Sequence, residues 1–586
     1  MTMNDEQESP ANAAGRIALE RMFACLDAGR SFRLEAGAGA GKTYSLEKAL
    51  HRLIDQRGAD LLRQRQHVGC ITFTNIAKDE IISRIHEHPA VCPDTIHGFC
   101  WSVLHDFQTT LRELVPNLPS WTERLEEVGG IGARRVHYEL GYAGVTDEQV
   151  TLRHEDVLML MIQALAQPKF RRLLTARYPV LLIDEYQDTD AAFVDALKVW
   201  FLDRGEGPLI GLFGDHWQKI YGEGCGLVEH VALEVIDKNA NFRSVDVIVE
   251  VLNRMRPELP QMVSDPEAPG EARVFHTNDW LGVRRTGQGG GHWTGDTNPE
   301  AARAYFQHVR TQLTEEGWDF SVEKTKILML SHSVLAREQG YASIPPIYGQ
   351  YNDPWLKKED PHINFLADHL EPACAAFEAQ SYGKMFEYFG ASMPRIRRHQ
   401  DKMALSNAMN SLITLRQEGS IGDVIDFISA QEHMRLPPAV EEREQKLAEI
   451  GATPVEGESR RVSQLRKLRA VPYTELIALD RFIDGHTPFA TKHGVKGAEF
   501  ENVLVVIGRG WNKYNFAQTL EWMDDGPPAD KQEFFENNRN LFYVACSRPK
   551  VRLALLFTQF LSVSAMNKIT QLFGAENIIA LPAEPI

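Results

Sequence analysis

Cysteine is scarce and scattered. The seven residues Cys25, Cys70, Cys92, Cys100, Cys225, Cys374 and Cys546, in a chain of 586, form no CxxC pair. That excludes a disulfide framework and offers neither a zinc nor an iron–sulfur ligand set. Long apolar runs are missing too: nothing approaches the ~18 residues of a membrane span. The opening MTMNDEQESPANAAG is polar and acidic, unlike a secretory signal. The expected location is the cytoplasm, with no membrane partner. Positive charge is in deficit, 63 Lys and Arg against 80 Asp and Glu for a formal net charge of −17, which argues against a protein that coats nucleic acid with its whole surface. Two basic clusters stand out, Arg395, Arg397, Arg398 and Lys402, then Arg460, Arg461, Arg466, Lys467 and Arg469; each reads as a solvated helix face. There is no internal repeat or low-complexity segment, and 586 residues exceed one core, so roughly three to four domains are expected.

What the chain does have is a phosphate-binding signature. The apolar stretch Phe32 to Leu34 runs into Ala36-Gly37-Ala38-Gly39-Ala40-Gly41-Lys42-Thr43. Glycines in such a loop let backbone N–H groups close around phosphates, the lysine reaches the β- and γ-phosphates, and the threonine hydroxyl can ligate Mg²⁺. Ala36 stands where the strict pattern has glycine and is small enough to fit. A second apolar run, Val180 to Ile183, ends in Asp184-Glu185-Tyr186-Gln187-Asp188. Carboxylates at the end of a buried strand point at the same pocket, so Asp184 can hold the metal and Glu185 can orient or deprotonate an attacking water. The two segments in this order imply nucleotide hydrolysis, with ATP and Mg²⁺ as the expected cofactors.

Patterning along the chain gives an α/β organisation. Residues 1–99 alternate helix and strand as the front half of a parallel sheet, with a strand at Gly69 to Phe73 and helical spacing over Ala77 to Ile85. Residues 100–151 turn polar and mainly helical, an inserted unit. The sheet resumes over 152–245 with the acidic strand and a strand at Pro208 to Phe213. A second α/β unit is expected over 246–345 and 488–586, with strands at Ile327 to Leu330 and Val503 to Ile507, split by a helical insertion at 346–487. The glycines of Thr286 to Gly291 are followed by no Lys-Ser/Thr pair and read as a surface loop leading into a hairpin at His292-Trp293. Lys238 reads as a solvated helix end.

The order of the remaining motifs resembles the UvrD/Rep/PcrA group of superfamily 1 DNA helicases, nearly end to end. Ile71-Thr72-Phe73-Thr74-Asn75 with Ala77, and Thr95-Ile96-His97-Gly98-Phe99, are similar to motifs that contact single-stranded DNA. Gly214-Asp215 with Gln218, Ile220 and Tyr221 resembles the motif whose glutamine senses the γ-phosphate. Asn241-Phe242-Arg243-Ser244 resembles the motif whose ring stacks on adenine and whose arginine reaches the γ-phosphate. His493, Lys496-Gly497 and Glu499-Phe500 are similar to the DNA-contacting motif of the second motor domain, with Glu499 also grouped with the nucleotide-binding residues. Tyr543-Val544 with Ser547-Arg548 resembles the motif supplying a second arginine finger. The resemblance implies two RecA-like motor domains, each interrupted by a mainly helical insertion. It also implies Glu185, Gln218, Arg243 and Arg548 as catalytic residues, the 37–43 loop and Phe242 as nucleotide-binding, Thr43 and Asp184 at the metal, and Thr72, Phe73, Thr95, His97 and His493 on DNA. Arginine fingers far from the P-loop in sequence place the site between two domains, so that turnover opens and closes a cleft.

Two departures matter. Arg16-Ile17-Ala18-Leu19-Glu20-Arg21 lacks the glutamine by which the family reads adenine. After Tyr221 the chain has Gly222-Glu223-Gly224-Cys225 in place of the family's arginine and base-stacking aromatic, unless Trp217 substitutes. Compact size also resembles UvrD-like helicases of Gabija-type antiphage defence, which partner a separate nuclease. The implied functions are a 3′ to 5′ DNA translocase or helicase in repair or antiphage defence, acting on single strands or single-strand/duplex junctions, and, alternatively, a nucleic-acid-gated ATPase that regulates a nuclease or other effector. A hydrolytically dead binding module is disfavoured by the intact Glu185, Gln218 and both arginines.

Overall fold

The computed structural model describes residues 8–139, 143–219, 222, 224–286, 294–329, 332–348, 354–356, 358–390, 396, 398–431, 434–451, 458–483, 489–490, 499–508 and 514–584. Short apolar stretches bounded by turns become strands. β1 (Phe32–Ala36), β2 (Val68–Thr72) and β3 (Val91–Thr95) are followed, after an excursion, by β7 (Val180–Asp184), β8 (Leu209–Gly214) and β9 (Glu234–Lys238). These six pair in parallel in the order β3-β2-β7-β8-β1-β9. The period of two along each strand splits its side chains between two cores. Leu34, Cys70, Leu182 and Phe213 meet the helix Lys42–Arg63 through Leu46, Leu50 and Leu53, whereas Ile71, Leu181, Ile183 and Leu212 face the segment between β3 and β7.

That segment holds more helix than strand, as expected of 100–151, and adds a small sheet. Besides the helices Gln108–Leu114 and Thr122–Glu126 it holds β4 (Arg135–Tyr138), β5 (Gly144–Val145) and β6 (Gln149–Leu152), in the order β4-β6-β5. Val136, Val150 and Leu152 are their buried apolar residues, too few to write a period-two signal into the sequence.

The chain leaves the first sheet through β10 (Ala240–Asn241), which pairs with β11 (Met262–Val263), and enters a second lobe with the helix Asp246–Met255. There β12 (Glu271–His276), β13 (Thr325–Met329), β14 (Phe489–Ala490), β15 (Phe500–Ile507), β16 (Pro549–Phe557) and β17 (Ile578–Ala580) form a second parallel sheet, ordered β14-β13-β15-β16-β12-β17. Described residues between β13 and β14 are helical and build a core with Leu366, Leu370, Met409, Leu412, Ile425 and Leu476. The basic helix Arg460–Arg469 is not a freely solvated face. Arg466 pairs with Glu458 at 3.0 Å and Arg469 with Asp426 at 2.7 Å, its side chain only 20% exposed. Arg395, Arg397 and the 287–293 loop lie outside the described residues. No described helix is long and apolar enough to cross a membrane.

Candidate active site

Parallel strands bring their carboxyl ends to one edge, and there the first sheet gathers its polar residues. Because β8 lies between β1 and β7, the loop leaving β1, the acidic pair ending β7 and the Gly214-Asp215 step ending β8 are neighbours. Gly39 and Gly41 adopt φ of 75° and 72°. A Cβ on Gly39 would stand 2.7 Å from Asn241 Oδ1 and 2.8 Å from Arg243 Cβ, so glycine alone fits where the loop meets the Asn241–Ser244 segment. Ala38 and Ala40 are buried beside them, and Gly37 accepts the Ala40 N–H at 3.1 Å.

Lys42, the first residue of its helix, places Nζ 3.1 Å from Glu185 Oε2. Glu185 holds a left-handed backbone, φ 47°, which costs a side-chain-bearing residue roughly 1–2 kcal/mol. Gln187 braces it: Nε2 donates to Glu185 Oε2 at 2.5 Å and Oε1 accepts the Asp215 N–H at 3.0 Å, tying the ends of β7 and β8 together. Asp184 is buried and Thr43 half-buried. A carboxylate and a hydroxyl beside a glycine cradle are hard oxygen donors that suit a magnesium-bound nucleotide.

The Asn241–Ser244 segment that leaves the first lobe, and the second lobe itself, supply the rest. Asn241 Nδ2 and Gln261 Nε2 both donate to the Ala38 carbonyl, at 3.0 and 3.1 Å, and the Tyr543 hydroxyl stands 3.4 Å from Ala38 N. Arg243 reaches Glu499 Oε1 and the Ser547 carbonyl, each at 3.0 Å. Burial alone would push the Glu499 carboxyl up, but Arg243 and Lys550 hold it below its ordinary value. Arg548 is buried and donates to Val544 O (3.0 Å), Ser547 Oγ (3.1 Å) and, across the lobes, Gln218 Oε1 (3.3 Å). Burial and the nearby Arg243 push its guanidinium down to about 9, a charge held at a cost that an anion would relieve. Gln218, Arg243, Arg548 and Glu499 thus converge on one lobe junction beside the P-loop.

Phe242 and Tyr44 are 44% and 47% exposed at the rim. Lys238 Nζ lies 5.7 Å from both ring centroids. Lys238 corrects its sequence reading: it is the buried last residue of β9, donating to Gly41 O at 3.0 Å and Ser45 Oγ at 2.7 Å, and burial pushes it down to about 8.

The residues expected on DNA start from two adjacent strand ends, since Thr72 and Thr95 are register partners. Phe73 is 37% exposed, but Thr72 is buried with its hydroxyl donating to Thr74 O at 3.1 Å. Thr95 caps the helix Ile96–Leu104 by accepting the Gly98 N–H at 3.3 Å. His97 stacks on His154 at 3.5 Å, and burial together with His154 lowers its pKa to about 4, so it presents a neutral ring. Trp217 is no free stacking platform: it is buried between the guanidinium groups of Arg256 (5.5 Å) and Arg539 (4.0 Å). His493, Lys496, Gly497, Ile220 and Tyr221 lie outside the described residues.

The model of the UvrD/REP helicase N-terminal domain matches residues 20–129 and 133–222, from the helix before the P-loop to just past Gln218. That stretch of the chain is a UvrD/REP helicase N-terminal domain. Gabija protein GajB of Bacillus cereus (strain HuB5-5) is 21% identical to the chain over 692 aligned positions, spanning 95% of the chain and 97% of the relative. The helicase domain and this likeness indicate an ATP-hydrolysing helicase.

Sequence reading of this helicase missed Tyr44, Arg256, Gln261, Arg539 and Asn540. A signal existed for two of them. Arg539, Asn540, Tyr543 and Ser547 recur at helical spacing along and just past the helix Gln532–Cys546, so one face carries them all toward the first lobe. Arg256 follows the end of its own helix and is located only by the tertiary fold.

Proposed function

We propose that this helicase binds ATP and Mg²⁺ between its two lobes and converts hydrolysis into 3′ to 5′ movement along single-stranded DNA, loading at single strands or single-strand/duplex junctions. The motor domains are 1–99 with 152–245 and 246–345 with 488–586; 100–151 and 346–487 are the insertions. Backbone N–H groups of residues 37–41 and Lys42 grip the phosphates, Thr43 and Asp184 hold the metal, and Phe242 carries the base. Bound Mg²⁺ supplies charge neutralisation to the phosphates. Glu185 orients and deprotonates water, Gln218 senses the γ-phosphate, and Arg243 and Arg548 neutralise the charge that develops during transfer. Phe73, His97, the backbone at Thr72 and Thr95, and His493 follow the DNA. The likeness to a Gabija protein supports antiphage defence alongside a separate nuclease, with repair as the other setting. Seven unpaired thiols suit the reducing cytoplasm.

The observation that carries this reading is the Arg548–Gln218 contact at 3.3 Å, a second-lobe arginine on a first-lobe sensor. Arg548→Ala is expected to leave nucleotide affinity within a few-fold while strand-stimulated hydrolysis falls on the order of 10³-fold. Loss of binding along with hydrolysis overturns the two-lobe pocket. A second reading, a nucleic-acid-gated ATPase regulating an effector, is favoured by the clamped Trp217, which leaves a base-stacking position unfilled. Strand displacement measured beside hydrolysis decides: hydrolysis stimulated by single strands with no displacement selects it.

A further inference from the structure

We propose that Arg256 is a positioning residue for hydrolysis: from the second lobe it fixes Asp215, and Asp215 fixes the amide of Gln218. This rests on the two-lobe reading above.

The core beneath the P-loop is unusually polar. Glu35, in a strand whose other residues are mostly apolar, and Asp215, just after β8, are both buried, with His216 beside them. Arg33 of the same strand lies 3.4 Å from Glu35 Oε2, and the second lobe provides the cation that bridges both carboxylates. Arg256 caps the helix Asp246–Met255, which packs on β12 and β16, and it is 2% exposed. Its Nη1 donates to Asp215 Oδ1 at 2.5 Å and its Nη2 to Glu35 Oε1 at 3.0 Å. Glu35 also receives Tyr186 Oη at 2.6 Å and lies 2.6 Å from His216 Nδ1. Burial alone would raise the Glu35 carboxyl, but these partners hold it well below its ordinary range.

Asp215 divides its two oxygens. Oδ1 takes the guanidinium and the Trp217 N–H (3.0 Å), while Oδ2 accepts Gln218 Nε2 at 2.7 Å. Anchoring Nε2 on a carboxylate settles which end of the amide is which, and turns Oε1 toward Arg548 Nη2. The turn His216–Gln218 is held from the same side. Trp217 sits between Arg256 and Arg539 and edge-on to Tyr543 at 5.5 Å. Asn540 Nδ2 donates to the carbonyls of His216 (3.1 Å) and Lys219 (3.3 Å). The sensor therefore belongs to the first lobe by sequence, yet its orientation is set by the second. Lobe approach and sensor alignment become one event, which a bidentate guanidinium provides and a point charge does not.

The test is Arg256→Lys, which keeps the cation that the two carboxylates require and loses the fork. It is measured in the full chain with Gln218 and with Gln218→Ala. The expected result is a single-strand-stimulated kcat reduced about tenfold or more, KM for ATP within threefold, and an unchanged melting midpoint. In the Gln218→Ala background the same substitution is expected to cost nothing further. A purely structural Arg256 would lower kcat equally in both backgrounds, or shift KM and the melting midpoint together; either result, or an unchanged kcat, overturns the proposal. Should Arg256→Lys not fold, the double variant Arg256→Gln, Asp215→Asn, neutral at both positions, is put through the same pair of backgrounds with the same expectations. If Gln218→Ala alone leaves kcat intact, the reading of the site fails instead.

Discussion

A buried ammonium lies under the phosphate loop, and its cost can be measured. Lys238 is pushed down by burial to about 8 from an ordinary 10.5, so between those values the unfolded chain holds more protons than the folded one. Stability then rises with pH across that window and is flat in this respect below it. Wild type compared with Lys238→Met in chemical denaturation is expected to gain up to roughly 3 kcal/mol between pH 8 and pH 10.5. A pH-independent difference would mean that Lys238 is not desolvated. At this scale the sequence was legible wherever chemistry is written locally: Lys42 and Thr43 close the glycine loop that leaves β1, Asp184 and Glu185 follow the apolar run of β7, and the ends of those strands are the sheet edge. Lys238 was misread because its partners, Gly41 and Ser45, are some two hundred residues away. Nothing near Arg256 in the chain announces Glu35 or Asp215.

Strands and helices were legible in proportion to their burial. β1, β7 and β8 are buried along their whole length and read directly as apolar runs, whereas β4 to β6 were hidden because each offers one face to solvent and little to the core. The P-loop shows an element shaped from both sides. Its φ of 75° at Gly39 and the closeness of Asn241 and Arg243 leave no room for a methyl group. Gly39→Ala is expected to reduce nucleotide affinity by at least tenfold in direct binding, while far-ultraviolet circular dichroism stays native because the sheet cores do not involve that position. Retained affinity would show that the loop and the Asn241–Ser244 segment separate freely.

For the whole molecule, net charge and local surface point in different directions. A chain of −17 gains little from general attraction to nucleic acid, so the proposed strand binding would rest on a few placed contacts at the ends of β2 and β3. Base stacking on an aromatic is worth ~1–3 kcal/mol. Phe73→Ala is therefore expected to raise the single-strand concentration giving half-maximal stimulation of hydrolysis by about tenfold or more, with strand-free turnover unchanged. An unaltered requirement for DNA would move the track away from this edge. The order of motifs foretold two parallel sheets. It could not foretell how tightly they meet, because Ala38 and Trp217 join a hydrophobic core otherwise built by the second lobe, and no local pattern records a core shared across such distances.

The left-handed backbone at Glu185 has an evolutionary corollary. Glycine occupies that conformation without penalty, and a single nucleotide change turns a glutamate codon into a glycine codon. On the proposed role of Glu185, one mutational step would therefore remove the water-orienting carboxylate and relieve a backbone burden together. The chain thus holds this carboxylate in place at a backbone cost that glycine would not incur.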